Sequence, residues 1–546
     1  MAQPSDIPSE LRSIWIANGL PESFLGHLKL SGNPDTAIQS SFRLGLAAQI
    51  SIGLASLSAA YIHFLRTGVE QDVTVNSRHA VLSFHSEAWY TIDGAPPEGE
   101  IWDSIAGLYQ TRGGEYVRIH TNFPHHRAGV LDILSLPDYP TPATRTDVAH
   151  ALTEWDAQEF EDACAKRGMC VFKLRSTAEW DETPQAKALE EQNVVDVREV
   201  GKARKKEYGT GEGIKSKRPL QGIKVLDLSR VLAGPVAGRN FAGSTFFPRQ
   251  DEQAMLTTPV IAQGAQVLLI SSPALPSLPL LDVETSLGKR TTQLDLTAPT
   301  DRIKLQELVQ GADVFLQAYR PGGLEEKGFG VEDIIEMKEG KGVVYASLRA
   351  WGWAGPWSDR RGFDSLVQTA IGFNHDEGLT YQSFLVSEGK DAKWAPKPLP
   401  MQALDHAAGY FLAFGINVGI ARCIKDGGSH EVRVSLASVG RWVRSLGRLS
   451  PQEAFGPLSK PFPPRTNETL LHPSSEIAQL SVSWRERKGK DAKDESKRRN
   501  MTALRQAGLM SVTPVREGKL DEESHGREEE DWGAPMRLDA DEPVWL

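Results

Sequence analysis

Residues 222–235, Gly222-Ile-Lys-Val-Leu-Asp-Leu-Ser-Arg-Val-Leu-Ala-Gly-Pro235, read as a short buried strand running into a turn that opens a helix. Ile223, Val225, Leu226 and Leu228 supply the apolar run, and Ala233-Gly234-Pro235 supplies the turn. Downstream, residues 267–270, 314–316 and 343–348 are further apolar, β-branched runs, with helical segments such as 301–310 between them. Strands alternating with helices predict a mainly parallel sheet with right-handed crossovers.

At 546 residues the chain exceeds one compact core, so two or more domains are expected. Its 40% hydrophobic and 24% charged residues are the makeup of a globular protein rather than a disordered one. The formal net charge of −10 lacks the dominant basic field of a nucleic-acid-coating surface, so no nucleic-acid partner is expected. A local basic cluster remains compatible with an anionic ligand.

Cys164, Cys170 and Cys423 have neither the number nor the spacing for a disulfide framework or a metal site. They read as buried thiols in a reducing compartment, and no metal is expected. The run 47–65 is the one membrane candidate, but Gln49, His63 and several serines favour a buried helix, so no membrane partner is expected either. The first residues lack a basic, apolar leader pattern, and Val544-Trp545-Leu546 is not a peroxisomal address. The expectation is an intracellular, cytoplasmic protein, with a mitochondrial location left open.

A basic stretch, Lys202-Ala-Arg204-Lys205-Lys206 through Lys215-Ser-Lys217-Arg218, has no apolar period and reads as an exposed linker. Its glycines 209, 211 and 213 lack phosphate-loop spacing and a preceding strand. A repeat flanks it. Residues 51–64 followed by Gly68 and Val73-Thr-Val75 parallel residues 411–424 followed by Gly427-Gly428 and Val432-Arg-Val434. Each is a small-residue helix, a glycine turn and an alternating strand. Residues 243–261 form an excursion where a crossover is normally tight, and the charge runs 488–499 and 521–531 suggest mobile loops.

The ordered motifs from about residue 220 to 447 resemble a class III CoA-transferase of the CaiB/BaiF family. They are the opening stretch, Gly264-Ala-Gln-Val-Leu-Leu-Ile270, Gly288-Lys-Arg-Thr-Thr-Gln-Leu-Asp-Leu296 and Gly311-Ala-Asp-Val-Phe-Leu-Gln-Ala-Tyr-Arg-Pro-Gly322. Gly328-Phe-Gly330, Trp351-Gly-Trp-Ala-Gly-Pro356, Gly362-Phe-Asp-Ser-Leu-Val-Gln-Thr-Ala370 and Ala403-Leu-Asp-His-Ala-Ala-Gly409 follow in order. Residues 47–200 are similar to the later part of such a protein, through Gly107-Leu-Tyr-Gln-Thr111 and Arg175-Ser-Thr-Ala-Glu-Trp180 among others.

The resemblance implies an α/β fold, a Rossmann-like parallel sheet with helices plus a smaller α+β domain, partly duplicated. The expected division is a partial module at 1–200 without a nucleophile, a basic linker at 201–219, a main module at 220–447 and a C-terminal segment at 448–546. Family members form interlaced dimers, so an intramolecular pseudo-dimer and a homodimer are both expected arrangements.

Class III transferases attack an acyl-CoA with an aspartate, and Asp405 occupies that position by motif match. The implied course is a mixed anhydride, then an aspartyl-CoA thioester, then transfer of CoA to an acceptor carboxylic acid. CoA thioester is thus substrate, with no permanently bound cofactor. On residue pattern alone Asp405 also reads as an N-cap for the helix that follows. The corresponding stretch of the first segment, Ser40-Ser41-Phe42-Arg43, offers no carboxylate, so one active centre per chain is expected.

For CoA itself the resemblance points to Arg230, Val231 and Ala233 after the first strand, to Lys289 and Arg290, and to Tyr319 and Arg320. Cations there would pair with phosphates, and Tyr319 would lie against the base. Such ligands sit at strand carboxyl ends in open α/β sheets. This chain departs from the family in having Ser271-Ser272-Pro273 after the second strand, Glu325-Glu326-Lys327 before Gly328, and Leu232 where formyl-CoA transferases carry glutamine. The last difference favours a bulkier acyl group.

Two alternatives stand beside CoA transfer. The same fold hosts 2-methylacyl-CoA racemases, but Phe363 stands where their histidine would precede Asp364, and phenylalanine cannot move a proton. A non-catalytic CoA-binding protein is the other, motivated by the 243–261 excursion close to the expected CoA loop.

Overall fold

The strand–helix alternation closes into one seven-stranded sheet. In chain order its strands are β1 (Asp196–Gly201), β2 (Lys224–Leu228), β3 (Gln266–Ser271), β4 (Arg290–Gln293), β5 (Val314–Gln317), β6 (Val344–Arg349) and β7 (Ser429–Ser435). Across the sheet they lie β4-β3-β2-β5-β6-β7-β1. Every neighbouring pair is parallel except β7–β1. Counted from β2, the six parallel strands follow the order 3-2-1-4-5-6 of two mononucleotide-binding halves. The order reverses between β2 and β5, where Val225 pairs with Val267 on one side and Val314 on the other. Both β3 and β5 are buried at every position, as expected of strands covered on two faces.

The computed structural model describes residues 7–208, 218–242, 263–463, 474–486, 498–513 and 537–546. The glycines 209, 211 and 213, the excursion 243–261 and the charge run 521–531 lie outside the described residues, as does most of 488–499.

Five helices position the site: α1 (Leu44–Thr67), α2 (Pro124–Ile133), α3 (Ala233–Phe241), α4 (Asp364–Ala370) and α5 (Ala403–Lys425). Helices α1 and α5 are each long and apolar enough to cross a membrane, yet both are buried in the fold and pack against one another. Their small residues permit the close approach. A Cβ on Gly409 of α5 would lie 2.6 Å from the Ala233 carbonyl oxygen of α3. Asn417 pins the register, its Nδ2 reaching the Ala55 carbonyl and Ser58 Oγ of α1, both at 3.1 Å. Both copies of the sequence repeat thus take the same local form: α1, left-handed Gly68 and a strand at Val73–Asn76; α5, left-handed Gly427 and Gly428, and β7.

A smaller α+β unit sits within the first segment. Its antiparallel strands Gly107–Gln110, Tyr116–Ile119 and Val171–Lys173 share a core with α2 and the helix Ala157–Lys166. The expected boundary at residue 200 needs correction, since it cuts through β1; the stretch 202–208 is exposed at Lys202, Arg204, Lys205 and Glu207 but tethered to the fold at its other positions. The Lys206 amide donates to the Cys423 carbonyl at 2.9 Å, and its ammonium pairs with Asp313 at 2.6 Å. Arg66 of α1 donates to the Tyr208 carbonyl at 2.7 Å. A basic run with no apolar period can still be held by carbonyls and one half-buried carboxylate.

Candidate active site

The chain turns sharply after β2. Val231 holds φ +72, a conformation that costs a β-branched residue about 1–3 kcal/mol, and α3 starts two residues later. At Gly234 a Cβ would meet Ser229 at 2.4 Å. This turn and the loop after β5 diverge at the order reversal and open a cavity of about 500 Å³. Arg230, Val231, Ala233, Tyr319 and Arg320 all line it, and so does Asp405.

Lys289 and Arg290 do not line it, which corrects their expected role against CoA phosphates. The Lys289 ammonium is fully buried behind the turn, 2.7 Å from the equally buried Asp227 carboxylate and 2.8 Å from the Pro235 carbonyl. Arg290 points to the end of the chain, pairing with Asp541 at 3.3 Å and donating to the Glu542 carbonyl at 3.2 Å. A Lys-Arg pair after a glycine looks the same in sequence whether it faces ligand or anchors a fold.

Asp405 is the third residue of α5 and partly open to the cavity, so it is not the helix cap. That work falls to the fully buried Asp364, the first residue of α4. Its Oδ2 accepts the Asp405 amide at 2.8 Å, and the Leu404 amide also reaches its carboxylate. Gln368 holds the other Asp364 oxygen. Burial, opposed by those bonds, pushes Asp364 up to about 7. Burial first, then the negative fields of Asp364 and Glu87, raises Asp405 well above the usual carboxylate range.

Glu87 comes from the first segment. Burial acts to raise it, but His406 and His85, each 3.0 Å from one of its oxygens, bring it well below the usual range. His406, unassigned from sequence, is therefore a partner of Glu87. The Asp364 arrangement yields a direct test. Asp364→Asn keeps an acceptor for the Asp405 amide but removes one negative field, so Asp405 should ionise more readily. The acid limb of kcat/KM should then move to lower pH. An unmoved limb in the pH profile would show that Asp364 does not set the ionisation of Asp405.

Beyond the expected Arg230 and Arg320, four further cations line the cavity, Lys327, Arg349, Arg360 and Arg361, against two carboxylates, Asp295 and Asp405. Arg320 and Lys327 make no ion pair among the described residues. Phe363 lines the cavity, and His120 stacks on it at 3.9 Å. Phe123 and His126 reach the same cavity from the first segment, His126 lying on α2 and Phe123 just before it. The basic doublet before Gly362 and the His125-His126 doublet were visible signals, but nothing in sequence brings them together across more than two hundred residues. Among the described residues no group of three His, Cys, Asp or Glu is placed to hold a metal ion.

Fold and cavity define an α/β protein with a basic cleft at the sheet's reversal point and, at its wall, a part-open Asp405 backed by the buried Asp364. Two segments, residues 18–208 and 279–451, match the model of CoA-transferase family III. They cover more than half of the chain, which belongs to this family of transferase enzymes. The turn after β2 lies between the matched segments. An acyl-CoA transferase of Gibberella moniliformis is 28% identical over 414 residues, 71% of this chain and 68% of that protein. The human succinyl-CoA:glutarate CoA-transferase is 29% identical over 30% of this chain and 35% of its own length. The crystal structure of Rv3272 from Mycobacterium tuberculosis is 26% identical, with TM-score 0.33, over 42% of this chain and 57% of that one. The chain thus spans from about a third to about two thirds of the length of these proteins.

Proposed function

We propose that this chain moves CoA from an acyl-CoA thioester to a carboxylic acid, with Asp405 as the covalent nucleophile. The observation that carries the reading is the placement of the Asp405 carboxylate in a cation-rich cavity at the sheet's reversal point. The ionised carboxylate attacks the thioester carbonyl, expelling CoA thiolate and forming a mixed anhydride. The thiolate then attacks the Asp405 carbonyl, releasing the donor acid and leaving an aspartyl-CoA thioester. An acceptor carboxylate repeats the exchange in reverse, and the thiolate leaves on the acceptor. Each step trades one acyl leaving group for another of usable reactivity. A carboxylate of raised basicity suits the attack, and Arg320 and Lys327 are free to meet phosphates.

The test is mass spectrometry of the full chain after incubation with a set of acyl-CoAs. A CoA-mass adduct on the peptide containing Asp405 is expected. Transfer with the adduct on another peptide would sink the assignment, and CoA binding without transfer to any acid would favour a non-catalytic binder.

We further propose that the two family segments act as an intramolecular pair in place of two subunits. Packing of α1 on α5, the junction of β1 with β7, and delivery of His126 to the cavity support this reading. Sedimentation should find an active species of one 60.0 kDa chain. Activity confined to a dimeric fraction would count against it.

A further inference from the structure

A single turn of helix in the first segment, Ser86–Ala88, touches both helices that begin at the cavity. Ser86 Oγ accepts from the Arg239 guanidinium of α3 at 3.1 Å, and Arg239 in turn pairs with Glu284. Glu87 meets His406 of α5 at 3.0 Å. Phe84, just before the turn, stacks on His406 and Tyr410, with ring centroids 5.7 and 6.0 Å away. Every one of these side chains is buried. A carboxylate taken into such a place has to be paired, so the partner of Glu87 is fixed by the fold.

The His406 ring is held in one sense. Its Nδ1 is buried without a partner among the described residues, so the ring hydrogen belongs on Nε2 and is donated to Glu87 Oε2. Burial, partly opposed by Glu87, holds this imidazole below its usual range and neutral at ordinary pH. The other Glu87 oxygen is taken by His85.

Helix α5 begins without a side-chain cap from Gln402. Its first turn is secured instead from two directions. Asp364 takes the Leu404 and Asp405 amides, and Glu87 takes the side chain of the next residue. Asp405 lines the cavity, whereas Glu87 and His406 stand behind it. We propose that Glu87 is a positioning residue for the nucleophile: through His406 it fixes the first turn of α5, so that the first segment sets the aim of Asp405. This rests on the reading of Asp405 as the CoA-transfer nucleophile.

The experiment follows steady-state transfer per folded molecule in variants of the full chain, with the acyl-CoA and acid that turn over fastest in the unaltered protein. Glu87→Ala should lower kcat about tenfold to a hundredfold, as a misplaced reacting group does, with KM for the acyl-CoA within about twofold. Glu87→Gln keeps an acceptor for His406 and should recover most of that loss. His406→Ala should match Glu87→Ala, and the double variant should be no slower than either, because the two residues act in series. Glu87→Asp withdraws the carboxylate from His406 by one methylene, should also be slowed, and carries the test where Glu87→Ala does not fold. Unchanged kcat per folded molecule in Glu87→Ala or its aspartate substitute overturns the inference while CoA transfer stands. Glu87→Gln as slow as Glu87→Ala, or losses that multiply in the double variant, also overturn it, since the effect then does not run through His406. Transfer by the unaltered protein with Asp405 left unlabelled removes the nucleophile reading and this inference together.

Discussion

Asp405→Asn is expected to lose turnover by on the order of a thousandfold or more, with no loss of stability. The amide is nearly isosteric but cannot form the anhydride or the thioester. The Asp405 side chain caps nothing, and its backbone amide would still be held by Asp364. Asp364 and Glu87 both place negative charge near Asp405, so removing its charge should leave the melting temperature unchanged or slightly higher. Thermal unfolding and steady-state kinetics on the same preparation separate the outcomes. Retained turnover would eliminate Asp405 as nucleophile, and a large fall in melting temperature would make its role structural.

Lys289→Met is expected to act oppositely, costing about 3–5 kcal/mol of stability by stranding Asp227 in the interior. Both side chains are fully buried, and the ammonium also ties down the Pro235 carbonyl at the start of α3. The space around them is full: a Cβ on Gly238 would fall 2.0 Å from the Asp227 carboxylate and 2.7 Å from the Lys289 nitrogen. Replacing Asp227 by Leu together with Lys289 by Met should recover part of the loss, since the uncompensated charge goes with its partner. Denaturant unfolding of the single and double variants measures this. A stable Lys289→Met protein with weakened CoA affinity would restore the phosphate-binding role instead.

The sequence was most legible where local pattern and tertiary environment agree. The run 222–235 is strand, turn and helix because its apolar residues are buried and its small residues meet a neighbouring loop. The run 47–65 is a buried helix, as its serines and Gln49 suggested. Strand order was not legible, because Val225, Val267 and Val314 look alike until paired. The nucleophile's neighbourhood was half legible. Asp405 could be located, but the capping role assigned to it by pattern belongs to Asp364, forty-one positions earlier. Lys289 and Arg290 were misread because charge alone does not reveal burial. Arg361 and His126 were missed because their meaning arises only when the two segments meet.

The pairing of α1 with α5 also has a consequence for synthesis. Leu44 to His63 are buried without exception, partly against early neighbours and partly against a helix that begins about 360 residues later, so the ribosome delivers one face well before its cover. At ordinary elongation rates the interval is roughly 20–70 s. For that time the face of α1 that packs on α5 lacks its cover. The centre built around Asp405 therefore assembles late in the making of the chain, after most of its wall already exists.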